Sequence, residues 1–386
     1  VTANDPPGDI IEIGGPVRDD RPRRPWRKWL PLVLVAGVGL AVYARTGADS
    51  RADRPPATPS PSATSAAASP SGATPRPAAP AVTELGHPLL GIDAGWQLYG
   101  RGPESVVRVE FARGRVTTTP VPMLRSTGPV NFLVGPDRVV VRPLDAVPGY
   151  VVPDGGPAAE AKDEFSRSGA ALPGPDPTSV WVSEEEAGRM LLVRFDGRRT
   201  GQALVLPRSM QGFAEPDGAG YPLVGATGGV YSLRPAGVRR ITTGEVLAVG
   251  PRHWLARECD ERLRCAAVLI EQRTGARRAV PLRLPENEVS RGLISPDGTR
   301  AAIWVTSSGA LPRVHLLDLR SGGNVPVELA VDAGFLPQGM VWSPDSQWLF
   351  VADTVGQLHA VEVASARLRE LGVGLPQLDQ LAVRAG

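Results

Sequence analysis

The sequence predicts an all-β chain organised as a β-propeller, and three observations carry that prediction. A Pro-Asp step recurs at Pro136-Asp137, Pro175-Asp176, Pro216-Asp217, Pro296-Asp297 and Pro344-Asp345, with a degenerate copy at Pro251-Arg252. The gaps between these prolines are 39, 41, 35, 45 and 48 residues, a period near 40. The stretches between them read as short apolar strands separated by turns. A repeat of about 40 residues built only of short strands is the sequence mark of propeller blades.

Ahead of the repeats the chain has three parts. Residues 1–28 are polar and finish in a basic cluster of Arg18, Arg21, Arg23, Arg24, Arg27 and Lys28. Residues 29–44 form an uncharged apolar run of 16 residues ending before Arg45. As a helix that run is about 24 Å long, somewhat short of the ~30 Å hydrocarbon core. Lys28 and Arg45 can snorkel, and Trp26, Trp29 and Tyr43 suit the interfaces. The run is expected to be a single-pass membrane anchor, with the basic flank holding residues 1–28 in the cytoplasm and the rest outside. The alternative is a signal peptide cleaved near Ala44, after Val42-Tyr43-Ala44. Five acids before the run, Asp5, Asp9, Glu12, Asp19 and Asp20, speak against that alternative. Residues 45–84 are rich in Pro, Ala, Ser and Thr and cannot bury enough apolar surface to fold. They are expected to be a disordered, semi-rigid stalk, leaving 85–386 as an extracytoplasmic propeller.

Within the propeller region two units align along their length. Gly292-Leu293-Ile294 matches Gly339-Met340-Val341-Trp342, and Ala302 to Val305 matches Leu349 to Ala352. Val314 to Leu319 matches Leu358 to Val363, and fourth strands follow near Val325 and Arg367. Four strands per unit is one blade. The turn chemistry is local: Pro sets φ, Asp accepts backbone N–H groups ahead of it, and Gly or Ser allows the tight return. Weaker units begin near Val130, Gly169, Gln211 and Glu245. At the front, Gly95 to Tyr99, Val106 to Phe111 and Arg115 to Val121 read as second, third and fourth strands of a blade lacking its first. Leu378 to Arg384 resembles the first strand Gly244 to Gly250, and no further blade follows it. Joining the two would close the ring. The expected count is seven blades; irregular residues 151–168 leave six or eight open.

The turns Ile294-Ser295-Pro296-Asp297-Gly298 and Trp342-Ser343-Pro344-Asp345-Ser346 resemble the TolB-type, WD40-like propeller repeat, whose hallmark is Trp-Ser-Pro-Asp-Gly between the first two strands of a blade. The match is partial at Gly135-Pro136-Asp137 and at Glu215 to Gly218. It departs at Pro251-Arg252 and at Pro175-Asp176-Pro177. The resemblance covers about residues 85–386. It implies a propeller that binds protein partners in the cell envelope, and it carries no enzymatic activity over.

Composition narrows the function further. Net charge is +2, so nothing global attracts nucleic acid. Lys occurs only at 28 and 162, so Arg supplies 40 of the 42 basic residues. That bias, with abundant Ala, Gly, Val and Pro and a leading Val1 readable as a GTG start, points to a GC-rich, actinobacterial-like source. No Gly-rich loop precedes Lys-Ser/Thr, and there is no Gly-x-Ser-x-Gly elbow or His-Glu-x-x-His helix. No cofactor, metal site or catalytic set is expected. Cys259 and Cys265 flank the polar tip of one hairpin and are expected to be disulfide-bonded outside the cell. His315 and His359 sit at equivalent places in two blades, which points to repeat structure. Trp181, Trp254, Trp304 and Trp348 follow the first turns and read as blade-packing residues.

The expected function is recognition of a protein or envelope partner. The loops between second and third strands open on the face opposite the Pro-Asp turns. That face gathers Arg101, Glu104, Asp145, Glu184, Glu185, Glu186, Asp260, Glu261, Arg262, Arg264 and Arg313 as the candidate partner-binding surface. Two alternatives stand beside it: a cell-wall hydrolase or lyase working at the central channel, and a structural domain without a specific ligand.

Overall fold

The computed structural model describes residues 78–122, 129–144, 148–166, 169–184, 187–206, 214–282, 289–306, 311–330 and 338–386. The expected cytoplasmic tail, membrane anchor and most of the stalk therefore lie outside the described residues. Among the described residues no helix is long and apolar enough to cross a membrane, and the only helical turns are two short 3-10 segments.

The strands form five sheets of four or five strands and one of eight, in a propeller-like arrangement. Four of the smaller sheets are antiparallel meanders in which the first strand lies innermost, and in the five-stranded sheet the innermost strand is supplied by the end of the chain. The eight-stranded sheet consists of two such meanders, residues 245–280 and 289–330. They are joined through parallel rungs Ala248–Gly292 and Val249–Leu293 on their first strands. Successive first strands touch from sheet to sheet, as Val130–Val134 touches both Ala171–Pro173 and Gln380–Arg384.

The apolar runs of the second strands follow from burial on both faces. Sheets stacked around a ring have a neighbour on either side, so alternate residues enter different cores. Val139 and Val141 enter the core shared with the preceding sheet, and Val140 enters the core shared with the next. Likewise Ala301, Ile303 and Val305 pack to one side of their strand, and Ala302 and Trp304 to the other. Trp181 and Trp254 are fully buried and Trp304 nearly so, each between two meanders, while Trp348 packs half-buried. Losing one of the three buried indoles would cost about 3–5 kcal/mol.

The ring is closed by the end of the chain. Gln380–Arg384 pairs antiparallel with Gln97–Arg101, over rungs from Gln97–Arg384 to Arg101–Gln380. The sheet continues outward through Ser105–Glu110 and Arg115–Pro120 to a further strand, Ala81–Glu84. That outermost strand starts ahead of Leu85, inside the stretch read as stalk. All four of its residues are exposed, so its sequence has no apolar alternation to reveal it.

Each of the six Pro-Asp or Pro-Arg steps joins a first strand to a second. Asp297 shows the chemistry: Oδ1 accepts Ser295 Oγ at 2.6 Å and Thr299 N at 3.0 Å, and Oδ2 accepts Thr299 Oγ1 at 2.9 Å. Gly298 follows at φ +77°, where a side chain would be strained. Asp176 accepts Thr178 N at 2.9 Å and Ser179 Oγ at 2.7 Å. Burial works against ionisation at Asp297 and Asp176, but these donors outweigh it and hold both carboxyls below the usual range. At Asp137 the bonds from Arg138 have the same effect. A lowered carboxylate gives its full stabilisation above the unfolded pKa of ~3.9 and loses it as pH falls through the lower folded value. Urea titrations are therefore expected to give a lower midpoint at pH 3 than at pH 6. Equal midpoints would remove these turns as a source of acid sensitivity.

Candidate partner-binding face

Topology puts the second-to-third-strand loops and the crossings from each fourth strand to the next first strand on one face. The longest described hairpin on it runs through His253–Cys259 and Cys265–Glu271. Cys259 and Cys265 are directly opposite each other in the ladder and are bonded as a disulfide, with Cα atoms 3.9 Å apart. Closing so short a loop contributes about 2 kcal/mol in the chain-entropy model.

The tip beyond the disulfide is shaped by one carboxylate. Asp260 Oδ1 accepts the N–H groups of Arg262 and Arg264, both at 2.9 Å, and Oδ2 accepts Arg264 Nε at 2.8 Å. The Arg264 N–H and guanidinium, followed by the Arg262 N–H, hold this carboxyl below its usual range. Leu263 sits at φ +60°, which a leucine rarely adopts, and is 83 % exposed. Glu261 and Arg262 are exposed and make no ion pair with another described residue. The tip thus presents an acid, a base and an apolar side chain on a backbone fixed by a disulfide and an Asp cap.

The other expected face residues divide into three groups. Glu104 is exposed, and Arg313 is exposed and pairs with Glu328 at 3.3 Å. Glu184 is half-buried and pairs with Arg189, with Arg199 3.7 Å away. Asp145, Glu185 and Glu186 lie outside the described residues. Arg101 is the correction. It was expected at an exposed tip, but it is only 7 % exposed and pairs with Asp379 at 3.0 Å. The closing strand brings a carboxylate over the end of Gln97–Arg101, and the loop turns after Arg101, not before it. Burial lowers the Arg101 pKa and raises that of Asp379, the pair partly offsetting both.

Sequence reasoning missed a cleft on the same face. It has a volume of about 470 Å³ and runs between the loop Val355-Gly356-Gln357 and the crossing at 370–377. The loop is held by Asp353, which accepts Val355 N at 2.9 Å, Gln357 N at 2.8 Å and a contact from His359 Nε2 at 2.9 Å. A signal was present in the sequence: Leu371-Gly372-Val373-Gly374-Leu375-Pro376 has too many glycines for a fourth strand.

On the ring interior, Arg291 and Glu215 form an ion pair. They belong to the first strands of two meanders that are separated in chain order by the meander of residues 245–280. Among the described residues no three His, Cys, Asp or Glu side chains are placed to hold a metal.

No family model matches the sequence, and no curated protein matches it. Several solved structures are similar to this chain. TolB from Acinetobacter baumannii superposes with a TM-score of 0.41 at 13% identity, over 71% of this chain and 79% of that chain. AztD from Citrobacter koseri gives 0.43 at 14% identity, over 71% and 80%. Virginiamycin B lyase from Staphylococcus aureus gives 0.43 at 14% identity, over 71% and 96%. TolB, whose repeat the turns resemble, is thus among the similar structures. At these values the likenesses carry no argument about activity or partner.

Proposed function

We propose that this chain displays a non-catalytic propeller of seven blades outside the cell, tethered by residues 29–44, and that its loop face binds a protein or another component of the envelope. Seven apolar clusters support the count, since each is shared by two adjacent meanders once the eight-stranded sheet is taken as two. The disulfide fits an oxidising compartment. The observation that carries the binding reading is the stapled tip at 259–265. A leucine left 83 % exposed on a rigid backbone costs little further ordering when a partner covers it.

The test has two parts. A reporter active only outside the cytoplasm, fused after Gly386, is expected to work; activity of a cytoplasmic reporter there instead would reverse the orientation. The triple variant Glu261→Ala, Arg262→Ala, Leu263→Gly is expected to weaken capture of envelope components by the full chain about ten-fold or more, as loss of a central contact does. Its melting temperature should stay near that of the parent, because these side chains hold nothing in the fold. Undiminished capture by this variant would move the site off the tip.

A further inference from the structure

We infer that the cleft between the loop at 355–357 and the crossing at 370–377 is a docking site for an extended peptide strand carrying a basic side chain. This rests on the loop-face reading and names the partner chemistry at one place on that face.

The cleft is an opened ladder. In the sheet spanning residues 340–369 the fourth strand, Arg367–Arg369, is only three residues long. The outer pairing runs Glu362–Arg367, Val361–Leu368, Ala360–Arg369, and stops. Continued in register, it would set residue 371 against Leu358. Both residues instead line the cleft. Asp353 N donates to Gln357 O at 3.0 Å. By strand alternation the main chain of Leu358 then points outward, to the side the fourth strand has left. Its N–H and C=O have no ladder partner there.

The opposite wall is equally unpaired. No hydrogen bond joins the main chain of 371–377 to another described residue, and the crossing is tied down only beyond it, where Leu378 N donates to Gly356 O at 2.8 Å. Main-chain groups facing a cleft of this kind are the requirement for strand addition. Gly372 and Gly374 keep side chains out of the way, since a Cβ at either position would meet nothing within 4 Å.

The lining also selects a ligand. Leu358 and Leu371 are buried in the walls, with Val373 and Leu375 half-buried and Val355 67 % exposed at the rim. Leu358 and Leu371 belong to the core cluster with Val373 and Leu375 packed against it, so the cleft has an apolar lining for the apolar side chains of a strand. Glu370 is the one charged residue of the lining, is exposed, and has no ion pair with another described residue. A single open carboxylate beside apolar walls complements a peptide with one Lys or Arg among apolar residues. The Asp353 cap and its His359 contact hold the rim loop in place before the peptide arrives, which lowers the ordering cost.

The test pans a displayed library of linear peptides of about seven residues, each rising ~3.3 Å, against the purified full chain. The Gly374→Trp variant serves as the counter-target. Its indole adds bulk at a lining position where the added Cβ meets no atom. Peptides enriched on the parent over the variant should carry Lys or Arg flanked by apolar residues. Methylating alternate backbone nitrogens of such a peptide should abolish binding, and Glu370→Gln should weaken it about ten-fold, the scale of one charge-assisted bond. Glu370→Lys, at an exposed position, gives the same contrast should Gly374→Trp not fold. The inference is overturned by equal enrichment on parent and variant, or by binding that survives backbone methylation. A dimer of the full chain that disappears in Gly374→Trp would also overturn it, since a second copy would then own the site. Loss of partner capture in the tip variant while the library shows no cleft binder would sink this inference and leave the loop-face reading standing.

Discussion

A chain ending at Pro376 is expected to lose cooperative unfolding and to aggregate. The missing residues include Gln380–Arg384, the innermost strand of the sheet that closes the ring. Without it, Gln97–Arg101 becomes an open edge with unpaired main-chain groups. The core loses Leu378 and Leu381, which pack with Leu98, Trp96 and Phe350. Arg101 loses Asp379, its buried counter-charge at 3.0 Å. A domain has only ~5–15 kcal/mol of stability in total, so the joint loss of ladder, core contacts and ion pair is large against it. Two contacts with the next sheet also go: Gln380 Nε2 donating to Val130 O at 2.6 Å, and the Arg384–Asp154 pair. Thermal scans and denaturant titration would read the change. A truncated chain that melts as sharply and as high as the parent would make the tail an appendage.

Asp217→Ala should be the most damaging single substitution among the Pro-Asp turns, at about 3–5 kcal/mol. This carboxylate is fully buried. Oδ1 accepts Ala219 N at 2.7 Å and Tyr221 N at 2.9 Å, and Oδ2 pairs with Arg234 at 2.9 Å. Burial pushes its pKa up, against the pull of those two N–H groups and of Arg234. Around the pair, Arg234 stacks over Tyr221 with 4.4 Å to the ring centroid. The main-chain oxygen of Asp217 accepts Trp254 Nε1 at 3.0 Å and Gln272 Nε2 at 2.9 Å. Alanine removes the acceptor for two N–H groups and leaves a guanidinium without its counter-ion. Asp217→Asn keeps one acceptor oxygen and is expected to lose less. Urea unfolding of the two variants gives the comparison. A loss for alanine as small as that of an exposed turn aspartate would mean that the pair is dispensable.

The propeller was legible because its repeating turn is a local requirement. Pro, Asp and Gly or Ser act on their own few residues, so Ile294 to Gly298 and Trp342 to Ser346 show their geometry without knowledge of the rest. Closure was legible through likeness within the chain, since 378–384 reads as a first strand with no sheet of its own. What stayed hidden depends on partners far away in sequence. Arg101 reads as a tip residue until Asp379 is brought to it from 278 positions on. Asp217 looks like its fellow turn residues, because Arg234 and Gln272 arrive from 17 and 55 positions further on. Ala81–Glu84 was hidden for a different reason: an edge strand exposed on every residue needs no apolar alternation. The cleft depends on where a short outer strand stops pairing, and strand ends are set by competition between ladders and loops.

The parallel rungs Ala248–Gly292 and Val249–Leu293 give the ring an unequal set of seams. At this one seam the main chains of two meanders are laced together. At the other described seams no ladder runs from sheet to sheet; single main-chain bonds such as Leu378 N to Gly356 O occur, and most of the cohesion rests on side chains. Interdigitated side chains forfeit about a quarter to a half of their attraction once separated by ~0.5–1 Å, whereas laced main chains must break their bonds before they part. Pulled apart, the ring therefore tears at a side-chain seam first, and residues 245–330 come away as a single block. That block carries the disulfide-stapled tip, so the tip keeps its mounting longest under mechanical load.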